Sequence, residues 1–144
     1  MIIGLVCAVV VIGIDQLTKL LVYGTAAKSI IGNFLWFEST LNTGVAFSMF
    51  EGQTVLFIVI SAIAAAIFVY LLLSKKFFTN KFLKVCLGLI LGGTVGNMVD
   101  RIVFSGVRDF IYFKFINFAI FNIADAAIVI AVFMICIYML IDIF

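Results

Sequence analysis

Four long apolar segments alternate with shorter polar stretches along this chain. They cover residues 2–23, 55–73, 85–104 and 118–141, and each is close to the roughly 20 residues that a helix needs to cross a bilayer core. Lipid offers no hydrogen-bond partners to an exposed backbone, so segments of this kind are expected to be helical. The pattern predicts an all-α membrane protein with four transmembrane helices, forming a single domain over residues 1–144.

The two longer connections between these segments are not plain linkers. They cover residues 24–54 and 105–117, and residues 30–41 and 107–118 are rich in β-branched and aromatic types. Such residues favour strands, so we expect a small β-rich subdomain beside the helices. Residues 42–52 form an apolar loop, in which Phe47, Met49 and Phe50 are expected to dip into the membrane interface as a lid or an anchor.

Composition supports the membrane assignment. Hydrophobic residues make up 67% of the 144 residues, charged residues make up 11%, and proline is absent, a balance foreign to soluble globular proteins. The net charge of +2 is too small to indicate a nucleic-acid partner. Cys7, Cys86 and Cys136 lie in apolar stretches without CxxC spacing, so we expect small core residues and neither a disulfide nor a metal site.

The distribution of lysines predicts the orientation in the membrane. Four of them crowd the short connection between the second and third spans, at Lys75, Lys76, Lys81 and Lys84. By the positive-inside rule this connection is cytoplasmic, which makes both termini cytoplasmic and the β-rich subdomain extracytoplasmic. Other basic residues then fall near the outer face: Lys28, Arg101, Arg108 and Lys114.

Polar residues inside the spans are expected to meet near that outer boundary, because successive helices run in opposite directions. The set comprises Asp15, Lys19, Asn97, Asp100, Arg101, Asn122 and Asp125. Within each helix they are spaced three or four residues apart and therefore share a face. Asp125 is expected on the order of 10 Å below the start of its helix. A polar cluster in an apolar bundle indicates a functional site, although the same residues can also snorkel or cap helix ends.

Glycines recur every fourth residue in the third span. Gly88, Gly92 and Gly96 form the small-xxx-small pattern that lets helices approach closely in lipid, so we expect them to pack helices together. Gly93 lies off that face, and the pattern does not explain it.

The residues present limit the chemistry. The chain has no histidine, which excludes histidine-dependent triads and H-E-x-x-H zinc proteases. A divalent metal site is disfavoured because Arg101, Arg108 and Lys19 lie near the carboxylates. Two alternatives remain: hydrolysis by an aspartyl pair, with Asp109 facing Asp125, or a relay of intramembrane aspartates that moves protons or ions. A purely structural membrane subunit is a third, weaker reading.

Five short blocks, in order across nearly the whole chain, resemble lipoprotein signal peptidase (signal peptidase II). They are DQLTK (15–19), NTGVAF (42–47), GGTVGNMVDR (92–101), GVRDF (106–110) and FNIAD (121–125). Small departures exist: Val45 and Thr94 stand where the family often has alanine, and Arg108 where it commonly has an apolar residue. None of these departures affects a carboxylate.

The resemblance implies an aspartic endopeptidase of the bacterial cytoplasmic membrane. It implies removal of signal peptides from lipid-modified prolipoproteins, by cleavage just before the diacylglyceryl-cysteine, with no cofactor. Asp109 and Asp125 match the catalytic dyad. The implied substrate-binding positions are Asn42, Asn97, Arg101 and Asn122, and the implied supporting positions are Asp15, Lys19, Gly93 and Asp100. The expected partners are prolipoprotein substrates and membrane lipids, and we expect a monomer.

Overall fold

The structure is a computed structural model that describes residues 2–44, 52–74 and 80–143, with side chains as far as residue 141. Its helices are α1 (Ile2–Val22), α2 (Thr54–Leu73), α3 (Lys81–Phe104) and α4 (Ile123–Ile143). All four are long and apolar enough to cross a membrane. The prediction of a helical membrane protein with four spans is confirmed. The proposed lid residues Phe47, Met49 and Phe50, and the loop lysines Lys75 and Lys76, lie outside the described residues.

The start of the fourth helix differs from the prediction. The helix begins at Ile123 rather than at 118, because the residues before it form an extended segment. Phe121 pairs there with Ile111 of the sheet through N–H to O distances of 2.8 and 3.0 Å. Hydropathy cannot separate an apolar extended segment from an apolar helix. Asp125 therefore lies in the first turn of α4, and the prediction that it lies about 10 Å below the helix start is wrong.

Helix α3 packs against the other three helices, and glycines permit its close approach to two of them. A Cβ atom added at Gly92 would lie 2.7 Å from Val11 Cβ and 2.8 Å from the Ala8 carbonyl oxygen of α1. Gly88 and Gly96 also face α1, so the predicted packing role is confirmed. Gly93 faces α4 instead, where an added Cβ would collide with the Ala124 carbonyl oxygen.

The β-rich subdomain is a three-stranded antiparallel sheet in the order β1 (Lys28–Ile31), β2 (Leu35–Asn42) and β3 (Val107–Tyr112). The strand expected over residues 30–41 is in fact a hairpin, which turns at Gly32 with φ +46°. The second predicted strand ends at Tyr112 and is followed by a short 3-10 helix, Lys114–Ile116. The register places Thr40 opposite Asp109 and Asn42 opposite Val107, which brings the end of β2 beside the aspartate.

The outer surfaces of the helices are apolar, as expected for contact with lipid. Leu72 is the one buried residue of α2, and Val55 on the same helix is 74% exposed. Among the cysteines, Cys86 is buried, Cys7 is half-buried and Cys136 is exposed. The expectation of small core residues holds for Cys86, whereas Cys136 lies on the surface of α4.

Candidate active site

A single asparagine connects the two candidate catalytic aspartates. Asn122 Nδ2 donates a hydrogen bond to Asp109 Oδ1 at 2.6 Å. Asn122 Oδ1 accepts from the Asp125 backbone N–H at 2.9 Å, and Asp125 Oδ2 accepts from the Asn122 N–H at 3.3 Å. This reciprocal pair is a capping box, with aspartate in the place of the usual glutamate, and it explains why α4 starts where it does. The helix cap and the candidate site thus share one residue.

Two further asparagines hold the other carboxylate oxygens. Asn97 of α3 donates from Nδ2 to Asp125 Oδ1 at 2.7 Å, and Asn42 of β2 donates from Nδ2 to Asp109 Oδ2 at 3.1 Å. Asn122 Nδ2 also lies 3.1 Å from Asn97 Oδ1. Each aspartate is therefore fixed by two donors, and these donors come from three different elements of the fold.

The environment of Asp109 favours a proton. Burial, followed by the negative charge of Asp125, raises the pKa of Asp109 to about 7, although the hydrogen bonds from Asn42 and Asn122 and the charge of Lys19 act in the opposite direction. The side chain lies outside the membrane-spanning helices, on β3, and is 2% exposed. Near neutral pH the Asp109 carboxyl group therefore exists in both its protonated and its ionised form. Two carboxyl groups that share one proton need this property.

A fully buried ion pair lies behind the aspartates. Lys19 Nζ is 2.8 Å from Asp15 Oδ2 and 3.4 Å from Asp100 Oδ2, and it donates to Asn97 Oδ1 at 3.0 Å. The prediction that Asp15 and Lys19 share one helical face is confirmed, and the two side chains form an ion pair there. Because Lys19 also orients Asn97, the pair supports a direct hydrogen-bond donor to Asp125.

The remaining predicted residues also lie at this end of the bundle. The Arg101 guanidinium lies 5.4 Å from the centre of the Phe57 ring, and its Nη1 is 3.5 Å from the Asn97 carbonyl oxygen. Gly93 contacts α4 at Ala124, the residue before Asp125, so it lets α3 support the start of α4. The structure thus brings together every residue that the sequence assigned to the site.

A cavity of about 730 Å³ opens beside the aspartates, a volume within the usual range for ligand sites. Asn42, Asn97, Arg101, Asp109 and Asp125 form its polar end. Its apolar wall includes Phe113, Phe118, Phe121, Ala126, Val129 and Ile130. Polar groups at one end and a long apolar wall suit a ligand with a peptide part and a hydrocarbon part.

Two residues at the site were missed by the sequence reasoning. Gln16 and Arg108 both bind Asp100 directly. Gln16 is part of the DQLTK block, but nothing in the sequence shows which carboxylates it reaches. Arg108 was expected near the carboxylates and was noted as a departure from the family pattern, but it was given no role in the site. Within the described segments, no group of three or more acidic or cysteine side chains is placed to hold a metal ion.

The fold and the site define a multi-pass membrane protein with an asparagine-bridged aspartate pair beside a largely apolar cavity. A sequence model of the family described as Signal peptidase (SPase) II matches residues 7–141. The chain therefore belongs to the signal peptidase II family, a family of peptidases, and the resemblance found in the sequence is confirmed.

Individual relatives agree with this membership. The chain is 39% identical over 141 residues to a lipoprotein signal peptidase of Shouchella clausii, covering 95% of this chain and 92% of the relative. It is 33% identical over 135 residues to that of Enterococcus faecalis, covering 91% and 83%. A solved bacterial membrane enzyme, obtained by the in meso method, superposes with a TM-score of 0.88 at 33% identity, covering 96% of this chain and 88% of that one.

Proposed function

We propose that this protein removes the signal peptide from lipid-modified prolipoproteins, and that Asp109 and Asp125 hydrolyse the bond before the diacylglyceryl-cysteine. The observation that carries the proposal is the bridge through Asn122, which holds both carboxyl groups at the polar end of the apolar cavity. A shared asparagine keeps the two groups together on different elements, and two adjacent carboxyls retain one proton between them.

The dyad acts with one carboxyl protonated and the other ionised. The protonated group donates a hydrogen bond to the scissile carbonyl oxygen and polarises it, while the carboxylate accepts a proton from the attacking water. The tetrahedral intermediate then collapses as a proton passes to the departing nitrogen. Asn97 and Asn42 hold the carboxylate oxygens throughout, so little reorganisation accompanies the charge movement.

The cavity lining matches the two parts of such a substrate. Arg101 and Asn42 face the cavity with donor groups that can bind peptide carbonyls, and Asn97 lines the same polar end. Asn122 is fully buried, so we assign it to holding the two aspartates rather than to direct substrate contact. The wall formed by Phe118, Val129 and their neighbours suits diacylglyceryl chains and the apolar signal segment. No cofactor has a role in this chemistry.

We place the site at the extracytoplasmic face of the bacterial cytoplasmic membrane, with both termini cytoplasmic and the protein working as a monomer among lipids. Lys81 and Lys84 begin α3, whereas Asn97 lies about 25 Å further along the helix at 1.5 Å per residue. The lysine-rich end and the aspartate end are thus on opposite sides of the bilayer, and the positive-inside rule assigns the lysines to the cytoplasm.

The alternative of a proton or ion relay fits this arrangement less well. A conduction path needs polar groups across the whole membrane. The buried charged side chains of the described segments instead gather at one end: Asp15, Lys19, Asp100, Arg108 and Asp109. Family membership also favours the peptidase.

Purified protein in detergent, incubated with a lipid-modified prolipoprotein, tests the proposal. Mass spectrometry should detect the free signal peptide and a product that begins with the lipid-modified cysteine. The same precursor without its lipid should remain intact, because the apolar wall is then unfilled. Equal cleavage of both precursors, or of neither, would overturn the proposal.

A further inference from the structure

Two supporting aspartates hold the backbone next to each member of the dyad. Asp15 Oδ1 accepts the N–H of Ala124 at 3.0 Å, and Ala124 immediately precedes Asp125. Asp100 Oδ2 accepts the N–H of Arg108 at 2.9 Å, and Arg108 immediately precedes Asp109. The positions of α4 and β3 relative to each other are thus set by two carboxylates on α1 and α3.

Gln16 joins these two carboxylates. Its Nε2 lies 3.1 Å from Asp15 Oδ2, 3.0 Å from Asp100 Oδ1 and 3.1 Å from the Gly96 carbonyl oxygen. Its Oε1 accepts a hydrogen bond from Arg108 Nη2 at 2.9 Å. The Gln16 side chain therefore links Asp15, which holds the backbone beside Asp125, to Asp100, which holds the backbone beside Asp109.

Arg108 completes the network. Its Nη2 and Nε donate to the two oxygens of Asp100 at 2.8 and 3.2 Å, the forked geometry that makes arginine–carboxylate pairs specific. The guanidinium lies 4.2 Å from the centre of the Phe104 ring, and the residue is only 5% exposed. Arg108 and Lys19 supply two positive charges, and Asp15 and Asp100 supply two negative charges. The buried network is therefore neutral.

We propose that Arg108 is a positioning residue for Asp109: with Gln16 it closes a neutral buried network that fixes the dyad and its electrostatic surroundings without contacting substrate. Arg108 does not line the cavity, which separates it from Arg101. The inference rests on the proposed function, because it assumes that Asp109 is catalytic.

Removal of the guanidinium would leave one uncompensated negative charge behind Asp109. The charged groups that act on Asp109 are Asp125 from α4, Lys19 from α1 and Arg101 from α3. Asp100 of α3 binds the backbone N–H of Arg108, the residue before Asp109. Asp100 would lose its 2.8 Å ion pair with Arg108 and keep the 3.4 Å ion pair with Lys19. An added negative charge makes a neighbouring carboxyl hold its proton to higher pH. The loss of the Arg108 guanidinium should therefore change the pH profile of cleavage as well as its rate.

The test compares Arg108→Leu with wild type by steady-state kinetics from pH 5 to pH 9. We expect kcat to fall about tenfold or more while KM changes by less than about twofold, because positioning rather than substrate binding is lost. Both limbs of the pH profile should move to higher pH. Lys28→Leu is the matched control, since it removes an exposed positive charge from β1 of the same sheet and should behave as wild type.

Two further variants separate charge from geometry. Arg108→Leu combined with Asp100→Asn restores a neutral network, so its pH profile should return to the wild-type position while kcat stays low. Arg108→Lys keeps the positive charge but loses the two-point contact with the Asp100 carboxylate. It should therefore keep the wild-type pH profile with a reduced kcat. If Arg108→Leu does not fold, these two variants decide the question.

The outcomes distinguish this inference from the proposed function. An inactive wild type contradicts the function itself. An active wild type with unchanged kinetics in Arg108→Leu overturns the positioning role. The positioning role is also overturned if Arg108→Leu lowers kcat and the melting temperature but leaves the pH profile unmoved. In that case the variant has lost only fold stability. If Arg108→Leu does not fold, a wild-type kcat in Arg108→Lys overturns it.

Discussion

Asn122 serves both the start of a helix and the candidate site. Its side-chain oxygen caps α4, and its side-chain nitrogen binds Asp109. Only an amide offers an acceptor and a donor at the required separation, since aspartate would lack the donor and serine would be too short. The double role explains why the start of α4 and the geometry of the proposed dyad depend on the same residue.

Replacing Asn122 with alanine should reduce activity and shift its pH dependence. The loss of the 2.6 Å hydrogen bond removes a donor that favours the ionised form of Asp109, so the pKa of Asp109 rises and the pH profile moves upward. The lost cap costs about 0.5–2 kcal/mol. The control is Asn80→Ala, which removes the N-cap of α3 far from the dyad. If both variants show the same activity and pH profile, Asn122 is only a cap.

Thermal stability should also report the proton on Asp109. Its pKa is raised to about 7 in the folded protein from an ordinary value near 3.9. A raised folded-state pKa gives stability that is complete at low pH and is lost as the pH rises through the folded pKa. The wild-type melting temperature in detergent should therefore increase from pH 8 to pH 5. In Asp109→Asn this dependence should be weaker, and identical slopes would contradict the assigned pKa.

At the scale of elements, α3 organises the site because it approaches both α1 and α4 through glycine. Gly92 faces α1 and Gly93 faces α4, so two adjacent residues pack against two different helices. This arrangement places Asn97 of α3 between Lys19 of α1 and Asp125 of α4, while Asp100 binds Lys19 of α1 and Arg108 of β3. Gly93, which the repeat pattern left unexplained, is the glycine that contacts α4, the helix that carries Asp125.

Gly93→Ala should therefore displace α4 and reduce activity. The added methyl group would meet the Ala124 backbone and Ile128, and overpacking of this kind costs about 1–3 kcal/mol. We expect a lower melting temperature together with a lower kcat. Gly13→Ala is the matched control, because its Cβ would meet nothing within 4 Å. A Gly93→Ala variant as active and stable as Gly13→Ala would contradict the close packing of α3 on α4.

The sequence predicted elements better than their ends. Hydropathy identified all four helices, but it extended the fourth back to 118 because residues 118–121 are as apolar as the helix itself. The capping box of Asn122 and Asp125 was the available signal for the true start. Likewise, Gly32 marked the turn within the strand predicted over residues 30–41. The contacts of Gln16 and Arg108 could not be predicted, since they depend on how α1 and α3 are rotated about their axes.

For the whole molecule, the five blocks together indicate Asp109 and Asp125 as the proposed dyad, whereas the depth of Asp125 required the fold. The molecule has a lysine-rich end and an aspartate end. Lys81 and Lys84 start α3, while β3 follows its other end through Ser105 and Gly106. The charge asymmetry therefore predicts the orientation of the site in the membrane.

Cysteine labelling in a cysteine-free background tests that orientation. A cysteine at Lys28, which is exposed on β1, should react with a membrane-impermeant thiol reagent in intact spheroplasts. A cysteine at Thr79, in the lysine-rich connection, should react only after the cells are opened. The reverse pattern would place the aspartates on the cytoplasmic side and contradict the proposed topology.

The most direct test of the central claim measures cleavage of a lipid-modified prolipoprotein by Asp109→Asn, Asp125→Asn and the double variant. Each single variant should lose about 1,000-fold or more in kcat, and the double variant should be no worse, because the two carboxyls act as one unit. Glu38→Gln, a half-buried carboxylate of β2 outside the cavity lining, should keep wild-type activity. Asparagine preserves side-chain size, so all variants should still fold. Cleavage within about tenfold of wild type by either single variant would contradict the dyad.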